Sequence, residues 1–436
     1  MFRSAILPLL SAHKAAIAAV TTLALTAGAG VAMSPGVPAH QQGRRPAKNV
    51  IIFVGDGMGT SHRNLIRYGN VGPEGTLAMD SLPVAGRSHT YPHDPDAFVT
   101  DSAAGGTSLA TGVKTYNGAI GVDENGKPVT SVLELAARSG KSTGLVTTAQ
   151  VTDATPASFG AHVLDRSQQS LIAKQFLERS KPQVILGGGE DKWYPAGNPG
   201  AFPDEPAEDP SEKSAGTEGN LVERAKQLGY EYVTNTAELK AAKSRKILGL
   251  FANEEMFQQR PEGQGDVYNP TVSLADMTSK AISTLATDRD GFFLLVEEEG
   301  IDEMAHQSNA RQVIKAGKNL DSAVAVAVRY AKAHRDTLVI VLADHETGSL
   351  AIEDVPELQD DPNYPNERGE GRTAEDGPFD APGTDKQFVV DWTTANHTSE
   401  DVPVTAMGPG SELFAGVYEN THVFHAMVKA MGLKRR

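Results

Sequence analysis

Short, unbroken apolar runs recur along the chain between longer stretches of helical periodicity. The first, at 49–54, is rich in β-branched residues and ends in Gly55-Asp56-Gly57-Met58-Gly59. Comparable runs occupy 143–147, 184–186, 247–251, 292–296 and 337–342. Runs that are apolar throughout, rather than alternating, predict strands covered on both faces. Between them, 131–139, 167–180, 274–287 and 309–334 carry helical spacing. Strand and helix therefore alternate, which predicts an α/β protein with a large, mostly parallel central β-sheet sandwiched between helices. In such sheets ligands collect at the carboxyl ends of the strands.

Two stretches break the alternation. Residues 195–219 and 354–385 are rich in Pro, Gly, Asp and Glu and read as surface insertions on a single catalytic domain spanning 49–434. The N-terminus differs again: Arg3 and Lys14 precede an acid-free apolar run at 15–33, followed by Val37-Pro38-Ala39. This predicts an export signal peptide over 1–39, cleaved before His40, with 40–48 as a polar linker. An uncleaved membrane anchor is the other reading, but Thr21, Thr22, Thr26, Gly28 and Gly30 dilute the run. A periplasmic or secreted protein is expected, with no membrane contact once the signal is removed. Of 436 residues none is Cys, so the exported fold must stand without disulfides. A formal net charge of −15 argues against nucleic acid as a stable partner. It leaves room for small anionic substrates, because bound metal can reverse the local field.

The candidate chemistry sits largely where strands end. Asp56 follows the first run between two glycines, where the chain can turn and aim a carboxylate into a crevice; Gly-Asp-Gly is also an ordinary turn. Asp344 and His345 follow the run at 337–342 and can face one site only if the chain curls there; a surface Asp-His pair fits equally well. Asp302 and His306, four residues apart, share one helical face, as two ligands of one metal do, or as a solvated pair does. Asp153 and Thr155 precede Pro156 and are predicted to share one face of an extended segment, since proline discourages helix before it. Glu297 adds a carboxylate at the end of the run 292–296, and His397 in Asn396-His397-Thr398 is structural when taken alone. Ser102, in Asp101-Ser102-Ala103-Ala104-Gly105-Gly106-Thr107, opens a predicted helix and reads first as a capping residue. No Gly-x-Ser-x-Gly elbow is present, so nucleophilic use of Ser102 needs a metal in place of a base.

In identity, order and spacing these segments resemble the alkaline phosphatase family. The resemblance rests on Gly55 to Gly59, Asp101-Ser102-Ala103, Asp153-Ala154-Thr155-Pro156, 162–166, 302–306, Ala343-Asp344-His345-Glu346-Thr347 and His397-Thr398. It implies hydrolysis of small phosphate monoesters through a phosphoserine at Ser102, with Arg166 clamping two phosphate oxygens. Two Zn²⁺ ions are implied, one on Asp302, His306 and His397, the other on Asp56, Asp344 and His345. One Mg²⁺ is implied on Asp56, Thr155 and Glu297, with Asp153 holding its waters. The family also suggests a homodimer. Two departures stand out. Glu298 and Glu299 follow Glu297 where small residues are usual, and Glu303 follows Asp302 where better-known members carry Lys or His. The added negative charge at Glu303 is expected to weaken phosphate affinity and strengthen metal affinity.

A sulfatase of the same fold would need Pro and Arg after its nucleophile, whereas Ser102 precedes Ala103, Ala104 and Gly105. A phosphodiesterase or phosphonate hydrolase of the superfamily would share nucleophile and metals. A non-catalytic phosphate- or metal-binding protein of the cell envelope is the reading from another class.

Overall fold

The computed structural model describes residues 46–207, 209–257, 267–355 and 375–434. The expected export segment, 1–39, and residues 40–45 of the expected linker 40–48 lie outside them, and no helix among the described residues is long and apolar enough to cross a membrane. In chain order the strands are β1 Asn49–Gly55, β2 Val84–His89, β3 Ser142–Gln150, β4 Val184–Gly188 and β5 Glu231–Val233. They continue with β6 Ile247–Leu250, β7 Phe292–Glu298, β8 Thr337–Leu342, β9 Glu346–Thr347 and β10 Leu350–Asp354. The last five are β11 Glu375–Asp380, β12 Gln387–Trp392, β13 His397–Thr398, β14 Val402–Met407 and β15 Gly416–Glu419.

Ten of them form one sheet in the order β15-β2-β14-β8-β1-β7-β3-β4-β6-β5. From β8 to β5 every neighbouring pair is parallel. Only β14 is reversed, pairing antiparallel with β8 and β2, while β15 lies parallel to β2. The apolar runs explain the centre of this sheet. In β1, Ile51 and Phe53 join one hydrophobic cluster while Val50, Ile52 and Val54 join another, so both faces are covered. Burying each such side chain contributes roughly 1.5–3 kcal/mol. One cover is led by the helix Ala310–Ala333, whose buried Val313, Ala316, Leu320, Val324, Ala327 and Ala331 keep three- and four-residue spacing. The other includes the helices Ser102–Thr111, Val132–Arg138, Ala154–Gly160 and Thr421–Met431.

Strands outside the parallel centre were less legible. In β14 burial alternates with partial exposure, and β2 is only partly buried, so neither carries an unbroken apolar run. Part of the stretch 354–385, read as a surface insertion, is described and is mostly exposed, with Phe379 and Ala381 buried. β11 pairs with β12, which pairs with β10, and Phe379, Phe388 and Trp392 of this small sheet are buried in the core. β11, Glu375-Asp376-Gly377-Pro378-Phe379-Asp380, carries one aromatic among polar and turn residues, which masked it. Residues 356–374 lie outside the described ones. Residues 195–219 hold no helix or strand among the described residues.

Candidate active site

Asp302 and His306 belong to the helix Gly300–His306, and His397 comes from β13, which pairs with β9 through His397 and Thr347. His306 Nδ1 lies 2.7 Å from the Ala395 carbonyl oxygen and His397 Nδ1 lies 3.0 Å from that of Thr100. A carbonyl only accepts, so each Nδ1 must donate and carry the proton. The two Nε2 atoms then face each other 3.1 Å apart, at 3.1 and 3.8 Å from Asp302 Oδ2. Two imidazole lone pairs and a carboxylate oxygen thus converge on one point, an arrangement that fits a cation of the zinc type. Without a cation a proton must serve. Burial would lower the His306 pKa, yet the hydrogen bond that His306 donates to Asp302 lifts it to about 9. Asp302, despite burial, is held well below the carboxylate range by His306 and His397. Thr347 Oγ1 donates to the other Asp302 oxygen and so orients the carboxylate.

Asp56 follows β1, while Asp344 and His345 occupy the turn between β8 and β9, where the chain curls and turns both toward the site. His345 Nε2 lies 3.4 Å from Asp56 Oδ1, 3.2 Å from Asp344 Oδ2 and 3.2 Å from Ser102 Oγ. The sequence offered Ser102 no histidine partner, and the structure supplies one. The pattern is still not a Ser-His-Asp relay, which needs serine and carboxylate on opposite ring nitrogens. Here they share one. Burial, with His397 nearby, holds His345 well below its usual pKa, so the ring is neutral and cannot balance these carboxylates. Asp56 Oδ1 and Asp344 Oδ2 are buried without a hydrogen bond. Burial, then Asp344, Asp302 and Glu297, push the Asp56 pKa well up, and burial with Asp302 raises Asp344 to about 6. This second trio also fits a cation.

Ser102 opens a helix whose small residues permit its position. At Gly105 a Cβ would lie 3.2 Å from Asp344 Cβ, and at Gly106 one would lie 2.9 Å from Ser158 Oγ. Asp101 caps the helix through Ala104 N at 2.9 Å, and its other oxygen takes Gly118 N at 3.0 Å and Arg166 Nη1 at 3.3 Å. Arg166 Nη2 reaches Asp153 Oδ1 at 2.6 Å. Burial opposes the guanidinium charge, but Asp153 and Asp101 outweigh it and hold the pKa well above its ordinary value. The Arg166 side chain remains 34 % exposed, whereas Ser102 is 6 % exposed.

The magnesium ligands implied by the resemblance are placed less tightly. Thr155 lies inside the helix Ala154–Gly160 with Asp153 as its N-cap, not on an extended segment. Pro156 is tolerated because the first helical turn has no intrahelical acceptor for its amide. Glu297 lies within β7, where Thr147 Oγ1 donates to it at 2.6 Å. Burial drives the Glu297 pKa to about 8, with Asp153 and Asp344 adding to the rise. Thr155 Oγ1 and Asp56 Oδ1 are buried without an aligned partner, which fits a hard oxygen-seeking cation among Asp56, Thr155 and Glu297. Asp153 groups more closely with two other carboxylates, Glu255 and Glu299. Glu255 had been missed. It lies in the turn beyond β6, not directly at the strand end as Asp56 does after β1, so the strand-end rule does not reach it. Asp101 was visible beside Ser102, but its grip on Arg166 was not.

One glycine is required here. Gly57 has φ +65°, and a Cβ would meet Asp302 Oδ1 at 2.5 Å and Thr347 Oγ1 at 2.8 Å. Gly57→Ala therefore adds left-handed strain of about 1–2 kcal/mol and displaces Asp302. The expected result is a lower Tm and at least about a tenfold loss of metal affinity, read by competition with a chelator. Metal affinity equal to the parent's would show that this turn does not set the Asp302 trio.

A model of the alkaline phosphatase family matches residues 47–359 and 359–433. The chain belongs to the alkaline phosphatase family. Alkaline phosphatase 4 of Bacillus subtilis (strain 168) is 34% identical over 95% of each chain. Streptomycin-6-phosphate phosphatase of Streptomyces griseus is 32% identical over 91% of this chain and 93% of its own. Among solved structures, alkaline phosphatase from the Antarctic bacterium TAB5 superposes with a TM-score of 0.69 at 30% identity, covering 90% of this chain and 100% of that one. The Thermus thermophilus enzyme gives 0.71 at 25% identity, covering 90% and 93%. A variant of the TAB5 enzyme carries bound magnesium. As a member of this family the chain is a phosphoric monoester hydrolase, and its mostly parallel ten-stranded sheet is that of its structural relatives.

Proposed function

We propose that this alkaline phosphatase works through a phosphoserine at Ser102, and that its two histidine-containing trios each hold Zn²⁺. Asp56, Thr155 and Glu297 would hold Mg²⁺, with Asp153 ordering water about it. The observation that carries the reading is the convergence of Ser102 Oγ, Asp56 Oδ1 and Asp344 Oδ2 on His345 Nε2, at 3.2 to 3.4 Å. Bound at these trios, the cations would supply positive charge that favours ionised Ser102 and the departing oxygen of the substrate.

The chain's own groups do the rest. Ser102 Oγ forms a bond to phosphorus while the ester P–O bond breaks, and the hydroxyl proton ends on the departing alcohol. Arg166 presents two nitrogens to the phosphate oxygens, matching their planar spacing. The positive end of the helix Ser102–Thr111 adds to the same field. In the second step a water oxygen bonds to phosphorus, the Oγ–P bond breaks, and the water's proton passes to Ser102 Oγ as inorganic phosphate leaves. Two in-line displacements retain configuration at phosphorus. Burial lowers the His306 pKa and Asp302 raises it, and burial with Asp153 raises that of Glu299; Glu303 adds a smaller upward push to both. That is the direction in which an added negative charge strengthens cation binding. The export segment at 1–39 supports action in the periplasm or outside the cell.

Rates on p-nitrophenyl phosphate and on its bis ester test the substrate class. The monoester should be hydrolysed at least about a hundredfold faster per active site, a difference of about 2.7 kcal/mol in barrier. A faster diester would overturn the monoesterase reading.

A further inference from the structure

Asp153 is shared between two neighbours. Its Oδ1 accepts from Arg166, and its carboxylate also belongs to a trio with Glu255 and Glu299 whose oxygens all lie within 4.8 Å of one another. The three come from separate elements: the cap of the helix Ala154–Gly160, the turn after β6, and the cap position of the helix Gly300–His306. Glu298, next along the chain, shows what a satisfied buried carboxylate needs. It accepts from Thr148 Oγ1 at 2.8 Å, Tyr268 Oη at 2.6 Å, Asn319 Nδ2 at 3.0 Å and Gly300 N at 3.1 Å. Glu299 is 7 % exposed, and its Oε2 has no hydrogen-bond partner. One Glu255 oxygen takes Gln150 Nε2 at 2.7 Å, but Gln150 Oε1 is itself buried and unpartnered. The positive group bonded to the trio, Arg166, is divided between Asp153 and Asp101.

Three carboxylates gathered from distant parts of the chain, with an unmet buried oxygen among them, must share a proton or hold a cation between them. The donors are oxygens only, which selects a hard cation and disfavours zinc. Oxygens that all lie within 4.8 Å of one another are close enough to meet on one such ion.

We propose that Asp153, Glu255 and Glu299 form a separate site for a hard divalent cation, with calcium as its probe, in addition to the two zinc trios and the Asp56-Thr155-Glu297 set. A cation there takes over part of the Asp153 carboxylate and loosens its hold on Arg166, leaving the guanidinium freer for phosphate. The site thereby couples a structural ion to the phosphate clamp.

Calcium titrated by calorimetry into the full-length protein already loaded with zinc and magnesium tests this. The parent should take up one calcium per protomer beyond its other metals. Glu255→Gln and Glu299→Gln should each weaken that event at least about tenfold, with zinc and magnesium content unchanged. Both exchanges keep side-chain shape and remove repulsion, so the variants should fold, which their thermal melts would show. Glu297→Gln should lose magnesium yet keep the calcium event. The proposal is overturned by a parent without a calcium event, by glutamine variants that bind calcium as the parent does, or by loss of the event in Glu297→Gln. Zinc content and Ser102 phosphorylation, measured on the same samples, report the zinc-phosphoserine reading separately. Their loss would leave the calcium result standing.

Discussion

Ser102→Ala is expected to leave a folded, fully metallated protein whose turnover of p-nitrophenyl phosphate falls at least about a thousandfold. The loss has a specific cause. The hydroxyl is the one group within bonding distance of His345 Nε2 that can form a stable ester with phosphorus, since the others there are the carboxylates Asp56 and Asp344. Metal content should be nearly unchanged, because each histidine trio is complete without Ser102. Acid quenching with radiolabelled phosphate should trap label on the parent and none on the variant. Label on Ser102→Ala would move the nucleophile elsewhere and sink the mechanism. A parent that turns over without trappable label at any quench time would point instead to direct attack by water.

Chelation should produce the other large effect, and its dependence on pH is the informative part. Metal-free protein is expected to be inactive and to melt below the loaded form, since an ion present at a thousand times its Kd stabilises by roughly 4 kcal/mol. The gap should widen as pH rises. In the metal-free chain burial and carboxylate neighbours raise Asp344 to about 6 and Glu297 to about 8. His306, through Asp302 and against the effect of burial, rises to about 9. A group whose folded-state pKa is raised contributes stability that is complete below its unfolded value and is lost as pH climbs through the folded one. For the carboxyls that window runs from about pH 4 to about pH 8, and for His306 from about 6.5 to about 9. Asp302 is depressed and works the opposite way, but only at acid pH. Metal-free protein should therefore melt lower at about pH 9 than at about pH 5, while metal ions turn the same carboxylates into favourable partners and flatten the trend. Melting curves with and without chelator at both pH values check it. A metal-free Tm that rises toward alkaline pH would refute the electrostatic account of these trios.

How much of this could be read from the chain depended on where each residue's partner lay. The parallel centre of the sheet was legible because a strand buried on both faces has nowhere to place polar residues, as β1 and β8 show. Asp302 and His306 were legible because helical geometry makes neighbours of residues four apart. Asp344 and His345 depended on a curl after β8 that no local rule specifies, and His397 on pairing with a two-residue ribbon. Thr155 was misplaced because a general dislike of helix before proline gives way in the first helical turn. β14 was missed because a strand half open to solvent alternates, and over so few residues alternation resembles a loop; β11 was missed because it is mostly polar and carries Gly377-Pro378. Glu255 escaped because its partners Asp153 and Glu299 meet it only through the order β7-β3-β4-β6 of the folded sheet.

The strand order also governs when the site can come into being. Ser102 and His345, in hydrogen-bond reach of each other, are separated by 243 positions, and Gly57 meets the Asp344 side chain across 287. Contacts of such separation are slow to form, because long loops must close before they are rewarded. No fragment ending before β13 holds a complete Asp302 trio, and none lacking β1 holds Asp56. A nascent chain therefore lacks a complete Asp302 trio until β13 has been made, and catalytic turnover reports completion of the whole site.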